Sequence, residues 1–151
     1  MMYGKFESAG KKLKGFSKFI YSKAWNYANN FDNNNSSPLY LMKQSIYDNL
    51  VYSKWRENLG GKEMEIVSGG SSIPAKIVRT FNAAKLRIFE GYGMTECAPL
   101  IAYCKSNIFR LGSCGKELEG LMKVRVDKPD KDGIGELMVS GDHVMYGYYE
   151  G

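Results

Sequence analysis

The segment 86–96 constrains the fold of this chain more than any other. Its first four residues, Leu-Arg-Ile-Phe, are a short and mostly apolar run that predicts a buried strand, and the sequence Gly-Tyr-Gly-Met-Thr-Glu follows at 91–96. In open α/β sheets, ligands bind just beyond the carboxyl ends of such strands. We therefore expect a loop over 91–96 in which Tyr92 stacks on a base and Thr95 donates to a phosphate oxygen. Glu96 can hold Mg²⁺, a hard cation that prefers oxygen ligands.

The residues before this segment complete a predicted βαβ unit. Residues 64–67 form a short apolar strand, a Ser-Gly-Gly-Ser-Ser loop follows at 68–72, and Pro74 lies near the first turn of a helix. A right-handed crossover makes the two strands parallel, which places both loops at the same edge of the sheet. Glycines in these loops let backbone N–H groups approach an anion or a ring closely, and the helix start favours negative charge. The sequence therefore predicts two ligand-binding loops that converge.

Helices are predicted before this unit and strands after it. The first quarter carries six lysines beside apolar residues on one face, which indicates a basic amphipathic helix. A linker rich in Asn, Ser and Pro covers 31–38, and apolar spacing predicts a second helix from Leu39 toward Trp55. Residues 121–126 and 135–140 alternate in polarity around a polar turn, which predicts an antiparallel hairpin. A short strand or an aromatic-rich turn should follow at 144–149.

These patterns define an α/β chain in three parts. We expect a helical segment over 1–60, a βαβ unit that binds nucleotide and acyl group over 61–110, and an antiparallel β segment over 111–151.

Composition excludes several other classes. No run approaches the roughly 18 apolar residues of a membrane-spanning helix, and the N-terminus lacks a signal-peptide pattern, so we expect a cytoplasmic protein. Three cysteines without paired metal spacing indicate reduced thiols, and the single histidine, His143, has no evident catalytic partner. The net charge of +5 is modest, and we expect no nucleic-acid partner. The basic helix either contacts an anionic membrane surface peripherally or is a solvated face docked on its own protein, which we favour.

Two familiar phosphate-binding motifs are not matched. The segment 91–96 begins like a dinucleotide fingerprint, but Glu96 stands where the third glycine is required. The segment 112–117 begins like a phosphate loop, but only two residues separate its glycines and Glu117 replaces the magnesium-binding Ser or Thr. The sequence therefore argues against both a Rossmann dehydrogenase and a Walker-type NTPase.

Four motifs in a fixed order indicate a family. They are Val-Ser-Gly-Gly-Ser-Ser-Ile-Pro at 67–74, Phe-Glu-Gly-Tyr-Gly-Met-Thr-Glu at 89–96, Gly-Ser-Cys-Gly-Lys at 112–116, and Gly-Glu-Leu-Met-Val-Ser-Gly at 135–141 with Tyr-Gly-Tyr-Tyr at 146–149. In this order and approximate spacing, the chain resembles the AMP-forming adenylating enzymes. Within them it most resembles the long-chain fatty acid–CoA ligases, and the resemblance implies a fragment of their large N-terminal domain.

The resemblance also implies a reaction and a role for each motif residue. A fatty acid or other carboxylate would attack the α-phosphorus of ATP, and the thiol of coenzyme A would then displace AMP. Tyr92 would stack on adenine, and Thr95 and Glu96 would be the catalytic pair, with Glu96 binding Mg²⁺. Such chemistry needs positioning and charge stabilisation rather than a protein nucleophile. The residues implied to bind the nucleotide are Gly69, Gly70, Gly91, Tyr92, Gly93 and Thr95.

Two parts of the family pattern are not found. The Ser/Thr/Gly-rich phosphate loop does not occur in 1–60, and the ribose-binding aspartate and catalytic lysine are expected beyond 146–149. We therefore expect an internal piece of a larger ligase that is inactive alone and self-associates through exposed apolar surface. The alternatives are a non-catalytic nucleotide-binding module, an adenylating enzyme for another carboxylate, and a plain α/β domain whose glycine loops only turn the chain.

Overall fold

Helices make up the chain up to its first strand, and strands dominate thereafter. The structure is a computed structural model that describes residues 2–61, 63–105 and 109–149. The helices are α1 (Met2–Lys12), α2 (Gly15–Asn29), α3 (Pro38–Tyr47), α4 (Ser53–Glu57) and α5 (Ala75–Ala83), with a π-helical turn at Asp48–Tyr52. The strands are β1 (Met64–Ser68), β2 (Leu86–Gly93), β3 (Leu100–Tyr103), β4 (Lys116–Glu117), β5 (Met122–Asp127) and β6 (Glu136–Gly141).

The chain divides into two compact units. The helical unit comprises Met1–Ile66 and Ile73–Ile88, and the strand unit comprises Val67–Ser72 and Phe89–Gly151. The boundary between them runs through β1 and β2. The predicted α/β class is therefore confirmed, whereas the three-part division with boundaries near residues 60 and 110 stays a prediction.

The basic segment predicted as one helix is two helices, α1 and α2. The break lies at Leu13 and Lys14, and Gly15 begins α2 with a φ of +56°, a conformation that favours glycine. After α2, backbone N–H groups bond to the side chains of Asp32 and Asn35 in short Asx turns. α3 then begins at Pro38, where a missing N–H costs nothing.

An aromatic cluster forms the core of the helical unit. Trp55 is 4% exposed and stacks on Phe6, with ring centroids 4.9 Å apart and planes inclined by 8°. Trp25 meets Trp55 edge to face at 5.6 Å, an arrangement that aromatic quadrupoles favour. Tyr52 is fully buried, and its hydroxyl donates to the carbonyl oxygen of Ala24 at 2.8 Å. This unit therefore buries large rings and satisfies the polar group of its most buried tyrosine.

A buried ion-pair network joins the π-helical turn to the end of α5. The carboxylate of Asp48 lies 2.5 Å from a guanidinium nitrogen of Arg56 and 3.4 Å from Nζ of Lys85. Arg56 also donates to the carbonyl oxygen of Ala84 at 2.9 Å. The side chains of Asp48 and Arg56 are only 13% and 12% exposed, so each depends on the other for charge compensation.

The strand unit contains antiparallel pairs and a small core. The four-stranded sheet has the order β1-β2-β3-β4, in which β2–β3 and β3–β4 are antiparallel pairs. β1, α5 and β2 follow one another in the chain as the predicted βαβ unit requires. β5 and β6 form a separate antiparallel hairpin, as the alternating pattern predicts, and Val124 lies opposite Val139. Cys97, Ile101 and Met122 make a buried cluster. Residues 144–149 form bends and irregular backbone, so the first predicted alternative, a short strand, is wrong.

Within the described residues, no helix combines the length and the apolar character needed to cross a membrane.

Candidate functional site

The two predicted ligand-binding segments meet in the strand unit. A Cβ atom added to Gly69 would lie 3.4 Å from the carbonyl oxygen of Gly91, and one added to Gly91 would lie 3.1 Å from Cγ1 of Val67. Gly69 therefore lies close to Gly91, as the predicted convergence requires, and ligand binding by the two segments stays a prediction. Gly70 has a φ of +84° with no atom within 4 Å of its Cβ position, so a backbone requirement rather than crowding favours glycine there.

The prediction of a loop over the whole of 91–96 is wrong, because β2 continues through Gly93. Gly91 pairs with Tyr103 and Tyr92 with Ala102, and the register shifts between Tyr92 and Gly93. A side chain at Gly93 would collide with the carbonyl group of Pro99. These glycines therefore permit close approach of neighbouring backbone at an irregular point of the strand, and they do not begin a loop.

Tyr92 and Thr95 present groups to solvent from different local structures. Tyr92 lies on β2 with 38% of its surface exposed, which leaves ring surface available for stacking on a base. Thr95 begins a 3₁₀ turn over Thr95–Cys97, and its side chain is exposed. The fold thus keeps an aromatic ring and a hydroxyl accessible within four residues.

Cys97 anchors the turn that carries Thr95 and Glu96. Its N–H donates to the carbonyl oxygen of Met94 at 3.0 Å, and its side chain is 3% exposed in the cluster with Ile101 and Met122. Sequence reasoning treated Cys97 only as a reduced thiol and missed this packing role. The apolar character of Cys97 and Ile101 was the available sequence signal for this packing. The two residues lie on different elements, the Thr95–Cys97 turn and β3.

Glu96 is held at two points by the segment 145–148. Its backbone carbonyl oxygen accepts from the N–H of Met145 at 2.9 Å, and its Oε1 accepts from the hydroxyl of Tyr148 at 2.5 Å. The Tyr148 hydrogen bond, aided by the backbone N–H of Glu96 itself, holds the pKa of Glu96 below its usual value. The same bond raises the pKa of Tyr148. Sequence reasoning did not assign Tyr148 to the site, since 52 positions separate the two residues.

The donor set fits a cation bound together with phosphates. The described part of the chain contains no group of three or more His, Cys, Asp or Glu that could form a metal cage. Mg²⁺ is commonly held by one or two carboxylates plus substrate phosphates, and Glu96 supplies one carboxylate. His143 is half-buried, and its Nδ1 makes no hydrogen bond to the described residues.

Comparison with known proteins gives the family. The sequence profile of the AMP-binding enzyme family matches residues 20–149, so the chain belongs to that family. The resemblance drawn from the four motifs is therefore confirmed.

Similar curated proteins are named as ligases. A long-chain-fatty-acid–CoA ligase, FadD15 of Mycobacterium bovis, is 35% identical over 108 residues, which are 71% of this chain and 17% of that protein. The long-chain-fatty-acid–CoA ligase ACSBG2 of Xenopus laevis is 29% identical over 150 residues, covering 97% of this chain and 20% of that protein. The chain thus spans about a fifth of the length of these relatives. Among solved structures, VinN is 25% identical with a TM-score of 0.49, covering 72% of this chain and 29% of that one.

Proposed function

We propose that the protein is a long-chain fatty acid–CoA ligase. The fatty acid carboxylate attacks the α-phosphorus of ATP and releases pyrophosphate, and the thiol of coenzyme A then displaces AMP from the acyl-adenylate. The observation that carries the proposal is the close approach of Gly69 to Gly91, which is followed in the chain by the exposed Tyr92 and by the Thr95–Cys97 turn. Membership of the AMP-binding family and the names of the similar ligases support it.

Each site residue has a stated task in this proposal. The ring of Tyr92 stacks on adenine, and the hydroxyl of Thr95 donates to a phosphate oxygen. Glu96 would hold Mg²⁺, whose charge would offset that of the phosphates. The backbone at Gly69, Gly70, Gly91 and Gly93 lines the nucleotide in this proposal. Gly70 has an open Cβ position, whereas the other three glycines let neighbouring residues pack closely at the site.

Nucleotide binding to the 151-residue chain tests the site. We expect ATP with Mg²⁺ to bind the wild-type chain in isothermal calorimetry, without release of pyrophosphate. Tyr92→Ala should weaken binding roughly 10-fold, because base stacking on an aromatic ring contributes about 1–3 kcal/mol. Tyr149→Ala is the matched control, since Tyr149 is 96% exposed outside the proposed site. Equal affinity of the two variants would contradict the assignment of Tyr92.

A chimera distinguishes a ligase from the two remaining alternatives. This chain would replace the matched segment of the Xenopus laevis relative, and ATP–pyrophosphate exchange would be measured with palmitate, acetate and an amino acid. We expect exchange with palmitate that Glu96→Gln abolishes. A folded chimera that binds ATP without any exchange would favour a non-catalytic module. Exchange only with acetate or the amino acid would favour an adenylating enzyme for another carboxylate.

We also propose that the protein acts in the cytoplasm and that α1 and α2 contact an anionic bilayer peripherally, which reverses the preference drawn from the sequence because Phe16 and Phe19 are exposed. The first 30 residues contain six lysines, all exposed, and one glutamate. Phe16 and Phe19 are 78% and 56% exposed, and Nζ of Lys23 lies 5.5 Å from the Phe19 ring centroid. Basic residues beside exposed aromatic rings suit an anionic lipid surface.

Vesicle sedimentation tests this contact. The chain should pellet with vesicles containing phosphatidylglycerol, less so at high salt, and much less after Phe16→Ser with Phe19→Ser. Leu39→Ser is the control, because Leu39 is 70% exposed on α3. If the phenylalanine variants change only the oligomeric state in analytical ultracentrifugation, the patch joins copies of the chain and the membrane proposal is wrong.

A further inference from the structure

The segment 144–149 contacts the proposed site without having a task in the proposed function. Its Met145 N–H donates to the Glu96 carbonyl oxygen at 2.9 Å, and the Tyr148 hydroxyl donates to Glu96 Oε1 at 2.5 Å. One bond therefore fixes the backbone of Glu96, and the other fixes its carboxylate. The two hydrogen bonds together restrain both the backbone and the carboxylate of Glu96.

The local backbone brings Tyr148 to this position. Gly147 has a φ of +154°, which glycine adopts readily, and no atom lies within 4 Å of its Cβ position. Tyr148 is 69% exposed. The neighbouring tyrosines are more exposed: Tyr146 is fully exposed and Tyr149 is 96% exposed. Of the three tyrosines, Tyr148 is the one whose hydroxyl reaches the Thr95–Cys97 turn.

A restrained carboxylate binds a cation with less loss of freedom. Glutamate has three rotatable side-chain bonds, and an unrestrained glutamate loses their conformational entropy when it binds a cation. A carboxylate that is already held loses less entropy at that step, so it binds the cation more tightly. The Tyr148 hydroxyl uses one acceptor position of a carboxylate that has about four, so further ligation remains open. Partners that orient a metal ligand commonly change metal affinity about 10- to 100-fold when they are removed.

We propose that Tyr148 is a positioning residue that orients the Glu96 carboxylate and thereby raises the affinity of the site for a divalent cation bound with ATP. The inference rests on the proposed function, because it takes Glu96 as the residue that holds the cation. It assigns no contact between Tyr148 and substrate. Its distinguishing property is that the hydroxyl acts on cation affinity and leaves metal-free nucleotide binding unchanged.

Mn²⁺ binding to the 151-residue chain tests the inference. Mn²⁺ is the probe, and water-proton relaxation enhancement with saturating ATP measures its affinity for the chain. We expect Tyr148→Phe to weaken Mn²⁺ binding about 10-fold and Tyr149→Phe to leave it unchanged. Glu96→Gln should remove the site contribution altogether. Affinity for ATP in the presence of EDTA, measured by calorimetry, should be the same for wild type and Tyr148→Phe.

A second variant separates the hydroxyl from the fold of the segment. Gly147→Ala strains a backbone that glycine favours and displaces Tyr148 while keeping its hydroxyl, so we expect the same loss of Mn²⁺ affinity. Equal Mn²⁺ affinity for Tyr148→Phe and Tyr149→Phe would overturn the inference and leave the proposed function standing. A parallel loss of metal-free ATP binding in Tyr148→Phe would show a structural role and would also overturn it. Failure of the wild-type chain to bind ATP at all would overturn both proposals.

Discussion

The helical unit and the strand unit differ in how many of their side chains are buried. The helical unit buries large rings around Trp55 and a carboxylate, Asp48, paired with Arg56. The strand unit contributes five of the buried side chains among the described residues, and they are Phe89, Cys97, Ile101, Cys104 and Met122. The residues proposed to bind nucleotide also lie in the strand unit and remain partly exposed. The comparison indicates that the helical unit holds most of the buried side chains of the described residues, whereas the strand unit carries the accessible groups proposed to bind nucleotide.

The largest effect is expected from removing the central ring of the helical unit. Trp55→Ala should lower the free energy of unfolding by about 4 kcal/mol, because truncating a buried aromatic loses both burial and packing. Urea unfolding followed by far-UV circular dichroism measures this. Leu39→Ala at a 70% exposed position should change stability by less than about 0.5 kcal/mol. If the two variants cost the same, the aromatic cluster does not dominate the helical unit.

A slightly smaller effect is expected from the buried ion pair. Asp48→Ala should lower the free energy of unfolding by about 3 kcal/mol, because it leaves the guanidinium of Arg56 buried without its counter-charge. Glu63→Ala is the matched control, since Glu63 also pairs with Lys85, at 3.5 Å, but is 58% exposed. That variant should cost less than about 1 kcal/mol. The midpoints of thermal unfolding measure both effects. Equal midpoints for the two variants would contradict the expected difference between the buried and the exposed ion pair.

A packing change in the strand unit sharpens the comparison. Ile101 is fully buried, and Ile101→Val removes one methylene from the cluster with Cys97 and Met122. We expect this substitution to lower the free energy of unfolding by about 1 kcal/mol. Amide hydrogen exchange should report faster exchange near Cys97, whose N–H is bonded to the Met94 carbonyl. Unchanged exchange at Cys97 would show that the turn does not depend on this core.

The smallest effect is the pH dependence of the Glu96–Tyr148 contact. The pKa of Glu96 is lowered from 4.5, so its contribution to stability is present above that value and is lost as the pH falls through the folded-state pKa. The pKa of Tyr148 is raised from 10.0, so its contribution is present below that value and is lost as the pH rises through the folded-state pKa. Carbon NMR titration of Glu96 should show its pKa rising in Tyr148→Phe and staying constant in Tyr149→Phe. A titration curve that Tyr148→Phe leaves unmoved would mean that the hydrogen bond does not form in solution.

Much of the fold was predictable because its signals are local. Alternation along 121–126 and 135–140 predicts the hairpin, and the apolar run at 64–67 followed by Ser-Gly-Gly predicts β1 and its loop. The contact between Gly69 and Gly91 was also predictable, since the handedness of a βαβ crossover places both segments at one edge.

The remaining features depend on contacts between residues far apart in sequence. Gly93 belongs to a strand because it pairs with Leu100 on β3, and it is glycine where the Pro99 carbonyl occupies the side-chain position; a single-sequence pattern shows neither neighbour. Tyr148 reaches Glu96 across 52 positions, so no periodicity links them. The break between α1 and α2 lies inside a continuous helical pattern, and Gly15 at the start of α2 is a local signal of it.

Mapping of the nucleotide site by NMR tests the central claim most directly. Addition of ATP with Mg²⁺ to the ¹⁵N-labelled chain should shift the backbone amides of Gly69, Gly70, Gly91, Tyr92 and Thr95, because these residues lie at the two segments that meet. Shifts confined to the lysine-rich helices α1 and α2, with these five amides unmoved, would contradict it.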